Sequence, residues 1–379
     1  MLKRNKWVFS VLCAVVLLQG ACSHHPPGIG DKIPWRDLPG WPLDKISEAW
    51  PSLLSSCQVM PQKDPSWVSL CADAALINPV DDMAARRFFE TWFEVFMTHG
   101  EQGKREGLIT GYYEPILQGS LKKSAQYAYP VFRKPKDLLV VDMGRLYPQL
   151  QNMRLRGRVQ GQKVVPYFSR KEVEENPQLL TGEEILWVND PIALFFLHIQ
   201  GSGIIHLENG EKVHVGYAEQ NGHPYVAIGK ILVEMGQMSL EKVDLPTIRA
   251  WLQQNPQRAQ EVLNTNPSYV FFEQRQNHLP GPLGSLSVPL TPQRSIAVDK
   301  NFIPLGVPVW VDSTLPGSEG GLLQRLVFAQ DTGGAIRGAI RADFFWGSGD
   351  QAEVMAGTMK QAGRLYVLLP RRREVNQTL

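Results

Sequence analysis

The chain has no excess of charge of either sign. Lys and Arg number 39 against 37 Asp and Glu, a net charge of +2, so neither a nucleic-acid partner nor a polybasic membrane patch is indicated. Cysteine is scarce, with four in 379 residues. None forms a C-x-x-C pair, which argues against zinc and thioredoxin-like chemistry. After the N-terminal segment no apolar run approaches a bilayer span. The H-E-x-x-H, G-x-S-x-G and P-loop patterns are all missing, and no repeat of fixed period appears. His198, His206 and His214 are spaced by eight, which is no standard metal-ligand pattern, and they read as strand or surface residues. What is present is 43% hydrophobic residues, enough to exclude wholesale disorder. The 33 Gly and 28 Pro favour turns and short strands over long helices. The length predicts two or three domains.

The N-terminus has the form of an export signal. Lys3, Arg4 and Lys6 precede an apolar run from Trp7 to Leu18, too short to span a bilayer but of the right length for a signal peptide. Gln19, Gly20 and Ala21 then lead to Cys22. Small residues before a cysteine resemble the lipobox of bacterial lipoproteins, with Gln19 where Leu is usual. Cys22 is read as lipidated, and cleavage by a general signal peptidase is the alternative. Ser23 at the next position favours the outer membrane. Removing residues 1–21 takes away three positive charges and no acid, leaving 36 − 37 = −1. Attachment would then be by lipid alone. Cys57 and Cys71 remain as an even pair in an oxidising compartment, where a disulfide is the natural reading and two free thiols the alternative. Residues 22–45 read as a lipidated tether.

Residues 82–99 read as one amphipathic helix, with Phe88, Phe89, Trp92, Phe93 and Phe96 on a stripe and Asp81 or Asp82 as cap. After Gly107 short apolar runs between turn residues read as strands: Leu108–Tyr113, Tyr129–Phe132, Val164–Phe168, Ile192–Ile199, Gly203–Leu207 and Lys212–Tyr217. A helical interlude follows over 225–263. Strands return at Tyr269–Phe272, Val307–Val311, Leu326–Gln330 and Leu365–Leu369, with a short helix from Asp350 to Gln361. The pattern predicts a mainly β, two-lobed protein with a few helices.

The densest chemistry lies at Asp331-Thr-Gly-Gly-Ala-Ile-Arg-Gly338 and Arg341-Ala-Asp343-Phe-Phe-Trp-Gly347. A strand enters a glycine-rich turn with Asp331 at its mouth, and Asp343 follows among Ile340, Phe344, Phe345 and Trp346. Apolar surroundings raise a carboxyl's pKa, and a carboxyl protonated near neutrality can serve as general acid. Each Asp alone could be a turn former. Two flanking one glycine-rich loop point to a site. Asp299 by itself reads as a turn residue. Asp331-Thr-Gly is also the aspartic-protease triplet, but it occurs once, so a protease would need a symmetric dimer.

Taken together, Asp299, Asp331 and Asp343 in their contexts resemble the three-aspartate domain of bacterial cell-wall enzymes. Thr110-Gly-Tyr-Tyr-Glu-Pro115, Gln200-Gly-Ser-Gly203, Gly216-Tyr-Ala218, Asn221-Gly-His-Pro-Tyr225 and Asn266-Pro-Ser-Tyr-Val-Phe-Phe272 resemble the rest of the membrane-bound lytic murein transglycosylase A family, in the family's order. The resemblance implies a double-psi β-barrel domain from 46–116 and 264–370, including N-terminal helices. It also implies an inserted small β domain over 117–263, a groove between the two and a tail at 371–379. It implies cleavage of the β-1,4 bond between N-acetylmuramic acid and N-acetylglucosamine in peptidoglycan, with 1,6-anhydro ends and no cofactor or metal. Asp343 matches the acid/base position and Asp331 a supporting catalytic one. Thr110, Tyr112, Tyr113, Gln200, Ser202 and Tyr217 are candidate groove residues. Asp299, Gly333 and Gly334 are assigned to structure or to supporting contacts. Expected partners are peptidoglycan strands, the outer membrane through the lipid and a cell-wall synthase or amidase complex. Competing readings are a muramidase using water, with Asp331 or Asp299 as second carboxylate, and a non-catalytic peptidoglycan-binding lipoprotein.

Overall fold

A computed structural model describes residues 26–77, 81–150, 153, 155–275, 279–317 and 321–371. The signal segment 1–21 and Cys22 lie outside them, as does all of the expected tail except Arg371.

Six strands close into a barrel. Around the ring they run Lys360–Pro370, Pro308–Thr314, Leu322–Asp331, Ser295–Val298, Arg341–Ser348 and Gly107–Glu114, and the last pairs back with the first. Two contacts are parallel, Ser295–Val298 with Leu322–Asp331 and Arg341–Ser348 with Gly107–Glu114. The other four are antiparallel. Phe93–His99 and Gly28–Ile33 extend the sheet from Lys360–Pro370. Closure removes most of the exposed edge that an open sheet would present.

The chain enters this sheet earlier than the tether reading allows. From Gly28 it is already paired with Phe93–His99, and Leu38 and Trp41 are buried. Apolar residues in this stretch dock on the barrel, so it folds. The helix expected over 82–99 also divides. Its N-cap, Asp81, accepts from the Met83 and Ala84 amides, and the helix ends at Trp92. Phe93 onward is strand, because Phe93 and Val95 alternate inward against Leu365–Leu369 of the neighbouring strand.

Helices Trp50–Cys57, Trp67–Leu76 and Asp82–Trp92 share one core with the barrel, including Trp50, Trp67, Phe89, Trp310 and Phe328. Cys57 and Cys71 form a disulfide across a 14-residue separation. Two polar ties hold the helical cap. Arg294 makes a bidentate, buried pair with Asp44, at 2.7 and 2.9 Å, and also reaches Glu48 at 2.9 Å. Gln330, fully buried, donates to the Ser52 carbonyl and the Ser56 hydroxyl and accepts from Ser295.

Between Glu114 and the return to the barrel lies the second lobe. Its sheet runs Val270–Arg275, Lys212–Gln220, Ser202–Leu207, Ile116–Ser120, Glu184–Val188 and Tyr129–Phe132. A bridge from Arg133 to Phe272 brings its two edges together. Strand membership carries this lobe to Arg275, past the boundary expected after residue 263. A three-stranded sheet, Leu139–Val140, Arg156–Gln160 and Lys163–Pro166, projects from it. Helices Ile228–Glu234, Leu245–Gln254 and Pro256–Asn264 fill the interlude.

The run Ile192–Ile199, expected as a strand, is the helix Pro191–Gln200. Asp190 caps it through the Ile192 and Ala193 amides, Pro191 starts it, and Gly201 ends it with φ 82°. It reads as a continuous apolar run because it is buried nearly all round. Its burial also removes His198 from the surface. Among the described residues neither ring nitrogen has a partner, the ring lies against Tyr269 and Phe272, and desolvation holds its pKa well below the usual histidine value.

Candidate active site

Strand register brings the two aspartates together. Ala297 pairs with Asp331 on one side and Asp343 on the other. The two Cα atoms are therefore two strand spacings apart, roughly 9.5 Å, with only a methyl group between their rows. Asp343 in turn pairs with Thr110 of Gly107–Glu114.

Alternation then sorts the side chains. Ala342, Phe344 and Trp346 join the core, as do Ile109 and Tyr113. Asp343, Phe345, Thr110, Tyr112 and Glu114 occupy the opposite face. Of the apolar neighbours expected around Asp343, Phe344 and Trp346 thus point away, and Phe345 shares its side, 5.1 Å from the Tyr112 ring. Gly111 belongs to the core face. A Cβ there would sit 2.7 Å from Trp346 Nε1 and 2.8 Å from Ala356 Cα, so only glycine lets the helix Asp350–Thr358 pack against this strand.

Asp343 is half-buried and accepts one side-chain hydrogen bond, from Thr110 Oγ1 at 2.6 Å. Burial raises its pKa above the ordinary carboxylate value. The Thr110 bond and the Arg341 charge oppose the rise, and the Asp331 charge adds to it. Arg341 is itself occupied by the Ala342 carbonyl at 2.6 Å.

Asp331 is more heavily engaged. Its Oδ1 accepts from the Ser285 amide and hydroxyl, each at 2.9 Å, and its Oδ2 from the Tyr112 hydroxyl at 3.2 Å. Ser285 also bonds Thr332 Oγ1 at 2.7 Å, fixing the start of the turn. Burial raises the Asp331 pKa despite these donors. The Tyr112 hydroxyl is pushed well above its usual pKa by burial and then by the Asp331 and Asp343 charges, which keeps it a donor.

Asp299 follows the same strand as Ala297 and is bonded to other loops. It is buried, and accepts from the Gly338 amide at 2.9 Å and the Asn301 amide at 3.1 Å, stitching two loops together. Gly338 and Gly347 adopt positive φ, whereas Gly333 and Gly334 do not. A side chain at Gly333 would collide with Ile336, while the space at Gly334 is open.

The remaining candidates separate. Tyr113, expected in the groove, is 1% exposed and part of the core, because it sits one residue out of phase with Tyr112. Its pKa is raised by burial. Gln200 spends its carbonyl oxygen on the Tyr113 amide at 3.1 Å, locking the end of a helix in the second lobe to a barrel strand. Ser202 lines a cavity between the lobes, whose other walls include Glu114, His214, Gly216 and Arg275. Tyr217 is 39% exposed beside it and bonds Glu219 at 3.2 Å. Glu114 and Arg275 were not singled out from sequence. The signal for Glu114 was present: Thr110, Tyr112 and Glu114 follow the period of two. No grouping of three or more His, Cys, Asp or Glu suited to a metal occurs among the described residues.

Residues 108–273 match the family described as the MltA specific insert domain, and residues 294–369 match the 3D domain. A membrane-bound lytic murein transglycosylase A from Vibrio cholerae is 30% identical over 274 residues, covering 70% of this chain and 67% of that protein. The crystal structure of MltA from Neisseria gonorrhoeae, in its monoclinic form, aligns with a TM-score of 0.78 at 33% identity, over 92% of this chain and 98% of that one. A membrane-bound lytic murein transglycosylase from Agrobacterium tumefaciens aligns with a TM-score of 0.80 at 29% identity, over 91% and 98%.

Proposed function

This chain belongs to the membrane-bound lytic murein transglycosylase A family, and we propose that it cleaves peptidoglycan strands with Asp343 as the single acid/base. The reaction breaks the β-1,4 bond between N-acetylmuramic acid and N-acetylglucosamine. The protonated Asp343 carboxyl gives its proton to the glycosidic oxygen as the bond to C1 breaks. The resulting carboxylate takes the proton of the muramyl C6 hydroxyl as O6 bonds to C1. The product carries a 1,6-anhydro end, no water is consumed, and Asp343 returns to its acid form. The raised pKa favours the first step. Asp331, fixed by three donors, holds a negative charge or dipole near the ring where positive charge develops.

The observation that carries this reading is the contrast between the carboxyls. Among the described residues Asp343 accepts one side-chain hydrogen bond, from Thr110, and it is only half-buried. Asp331 and Asp299 have their oxygens committed to amides and hydroxyls. A hydrolase needs a second carboxylate free to activate water or attack carbon. The roughly 9.5 Å between the two strand positions would leave room for a water, so the reading rests on this commitment of lone pairs, not on distance.

Export and anchoring complete the proposal. Lipidation at Cys22 would hold the enzyme on the periplasmic face of the outer membrane, within reach of murein and of cell-wall synthases or amidases. No described helix is long and apolar enough to cross a membrane.

Mass spectrometry of peptidoglycan digested by the purified protein and by Asp343→Asn tests the reading. Products one water lighter than reducing ends, absent with the variant, are expected. Reducing ends would replace it with the muramidase reading. No products from folded protein would leave the binding lipoprotein.

A further inference from the structure

We propose that the small sheet projecting from the second lobe, Leu139–Val140, Arg156–Gln160 and Lys163–Pro166, docks on an anionic phospholipid surface. The proposal rests on the export and anchoring reading above and is independent of the cleavage chemistry.

Register sorts this sheet into two unlike faces. Leu139 pairs with Gly157 and Gly157 with Pro166, while Val159 pairs with Val164. Opposed residues share a face and alternate residues return to it, so Leu139, Val159, Val164 and Pro166 lie together. All four are exposed, Val159 by 62% and Val164 by 58%. Arg156 and Arg158 take the other face and hold it to the lobe. Arg156 pairs with Glu219 at 3.0 Å, and the Arg158 guanidinium stands 4.2 Å from the Phe168 ring centroid. The apolar face is therefore the outward one. Leu146 and Tyr147, in the connection between the first two strands, are exposed as well. Apolar side chains gathered on one exposed face, rather than scattered singly, mark an interaction site.

Charge identifies what the site meets. Residues 133–166 hold eight Lys and Arg against two Asp and Glu, while the rest of the chain holds 31 against 35. The near-neutral total conceals this concentration. Lys134, Lys136, Arg145 and Lys163 are exposed and enter no ion pair among the described residues. A second copy would bring these same cations against one another. Both edges are also blunted against strand addition: one strand is two residues long, and the other carries Lys163 and Pro166 at its ends. An anionic lipid surface suits both halves of the sheet, with phosphates for the cations and the acyl boundary for the valines and Tyr147. Chain length enforces the encounter. Gly28 is already paired in the barrel sheet, and six residue steps from Cys22 reach at most about 20 Å. A lipid on Cys22 would hold the folded body against the leaflet, and the sheet would then be a second attachment beside the lipid.

Vesicle sedimentation of the mature chain from Ser23 tests this, a start that removes the acyl chain and none of the described residues. The chain should bind vesicles of equal parts phosphatidylcholine and phosphatidylglycerol, release them at high salt and leave pure phosphatidylcholine vesicles largely free. Val159→Asp with Val164→Asp should weaken binding about ten-fold or more, and Lys136→Gln and Lys163→Gln about five-fold each. All of these variants should melt as the parent does and cut murein in solution at its rate. A parent that stays in solution with both kinds of vesicle overturns the proposal, as do variants that bind as well as the parent. A parent that dimerises in sedimentation velocity, and no longer does so with the two aspartates, gives the face to a second copy instead. Palmitate labelling of the exported chain, lost with Cys22→Ser, reads the anchoring by itself. Without labelling the anchoring reading falls while the vesicles still decide the sheet. With labelling and no vesicle binding, only the docking falls.

Discussion

Replacing Thr110 by Val should move the pH profile of the reaction to higher pH. The two side chains are nearly the same size, and the change removes one interaction, the 2.6 Å hydrogen bond from Thr110 Oγ1 to Asp343 Oδ1. That bond favours the carboxylate over the acid and opposes the rise that burial imposes. A hydrogen bond to a charged group contributes about 1.5–3 kcal/mol. At about 1.4 kcal/mol per factor of ten, the ionisation constant of Asp343 should fall by roughly ten- to a hundred-fold. The acid form then persists further into the alkaline range. Since the proposed cleavage begins from the acid form, the alkaline limb of kcat/KM should shift up by one to two pH steps of that size. Murein turnover followed across pH for the parent, Thr110→Val and Thr110→Ser is the assay. Serine retains the hydroxyl and should restore the original limb. A limb that stays in place with Val would show that Thr110 does not govern the ionisation of Asp343. A limb displaced towards acid would reverse the assigned sense of the hydrogen bond and refute the electrostatic argument.

Other expectations concern stability. Because burial raises the Asp343 pKa, this carboxyl favours the folded state below its unfolded pKa, and that contribution is lost as pH rises through the folded value. Asp343→Asn should therefore melt higher than the parent at neutral and alkaline pH and match it in acid, a difference that thermal melts across pH would register. Arg294→Ala would strand Asp44 in the core and should cost about 3–5 kcal/mol, measurable by urea unfolding. Cys57→Ser opens the 14-residue disulfide loop and should cost about 3 kcal/mol, with loss of that difference when both proteins are reduced.

How far the sequence could be read depended on whether a feature was local. The mainly β character, the strand Tyr129–Phe132 and the helix beginning at Asp350 follow from short-range periodicity and turn residues, and the structure places them there. Asp331 and Asp343 could be picked out because each sits beside glycines in an otherwise apolar context. The helix Pro191–Gln200 misled because an element buried on all sides has no polar phase to reveal its period. The break at Trp92 was hidden because Phe93 and Phe96 continue the spacing of the helical stripe, while in the strand it is Phe93 and Val95 that point inward. Tyr113 was grouped with Tyr112 because adjacent identical residues carry no mark of which shares a sheet face with Asp343. The sheet pairing of Asp343 with Thr110, 233 positions apart, settles it, and no local pattern encodes that pairing. The family resemblance supplied the barrel and the insertion, which periodicity alone did not reach.

The strand that closes the barrel follows every other strand of the ring in sequence. Lys360–Pro370 joins Gly107–Glu114 to Pro308–Thr314, and the site draws Thr110 and Tyr112 from before the second lobe and Asp331 and Asp343 from after it. A chain formed from its N-terminus therefore holds half of the proposed site until the strands after the second lobe are made. Neither half has both the acid and the hydroxyl that sets its ionisation. The chemistry proposed for this site is thus tied to closure of the ring, and a chain folded only as far as the second lobe would carry none of it.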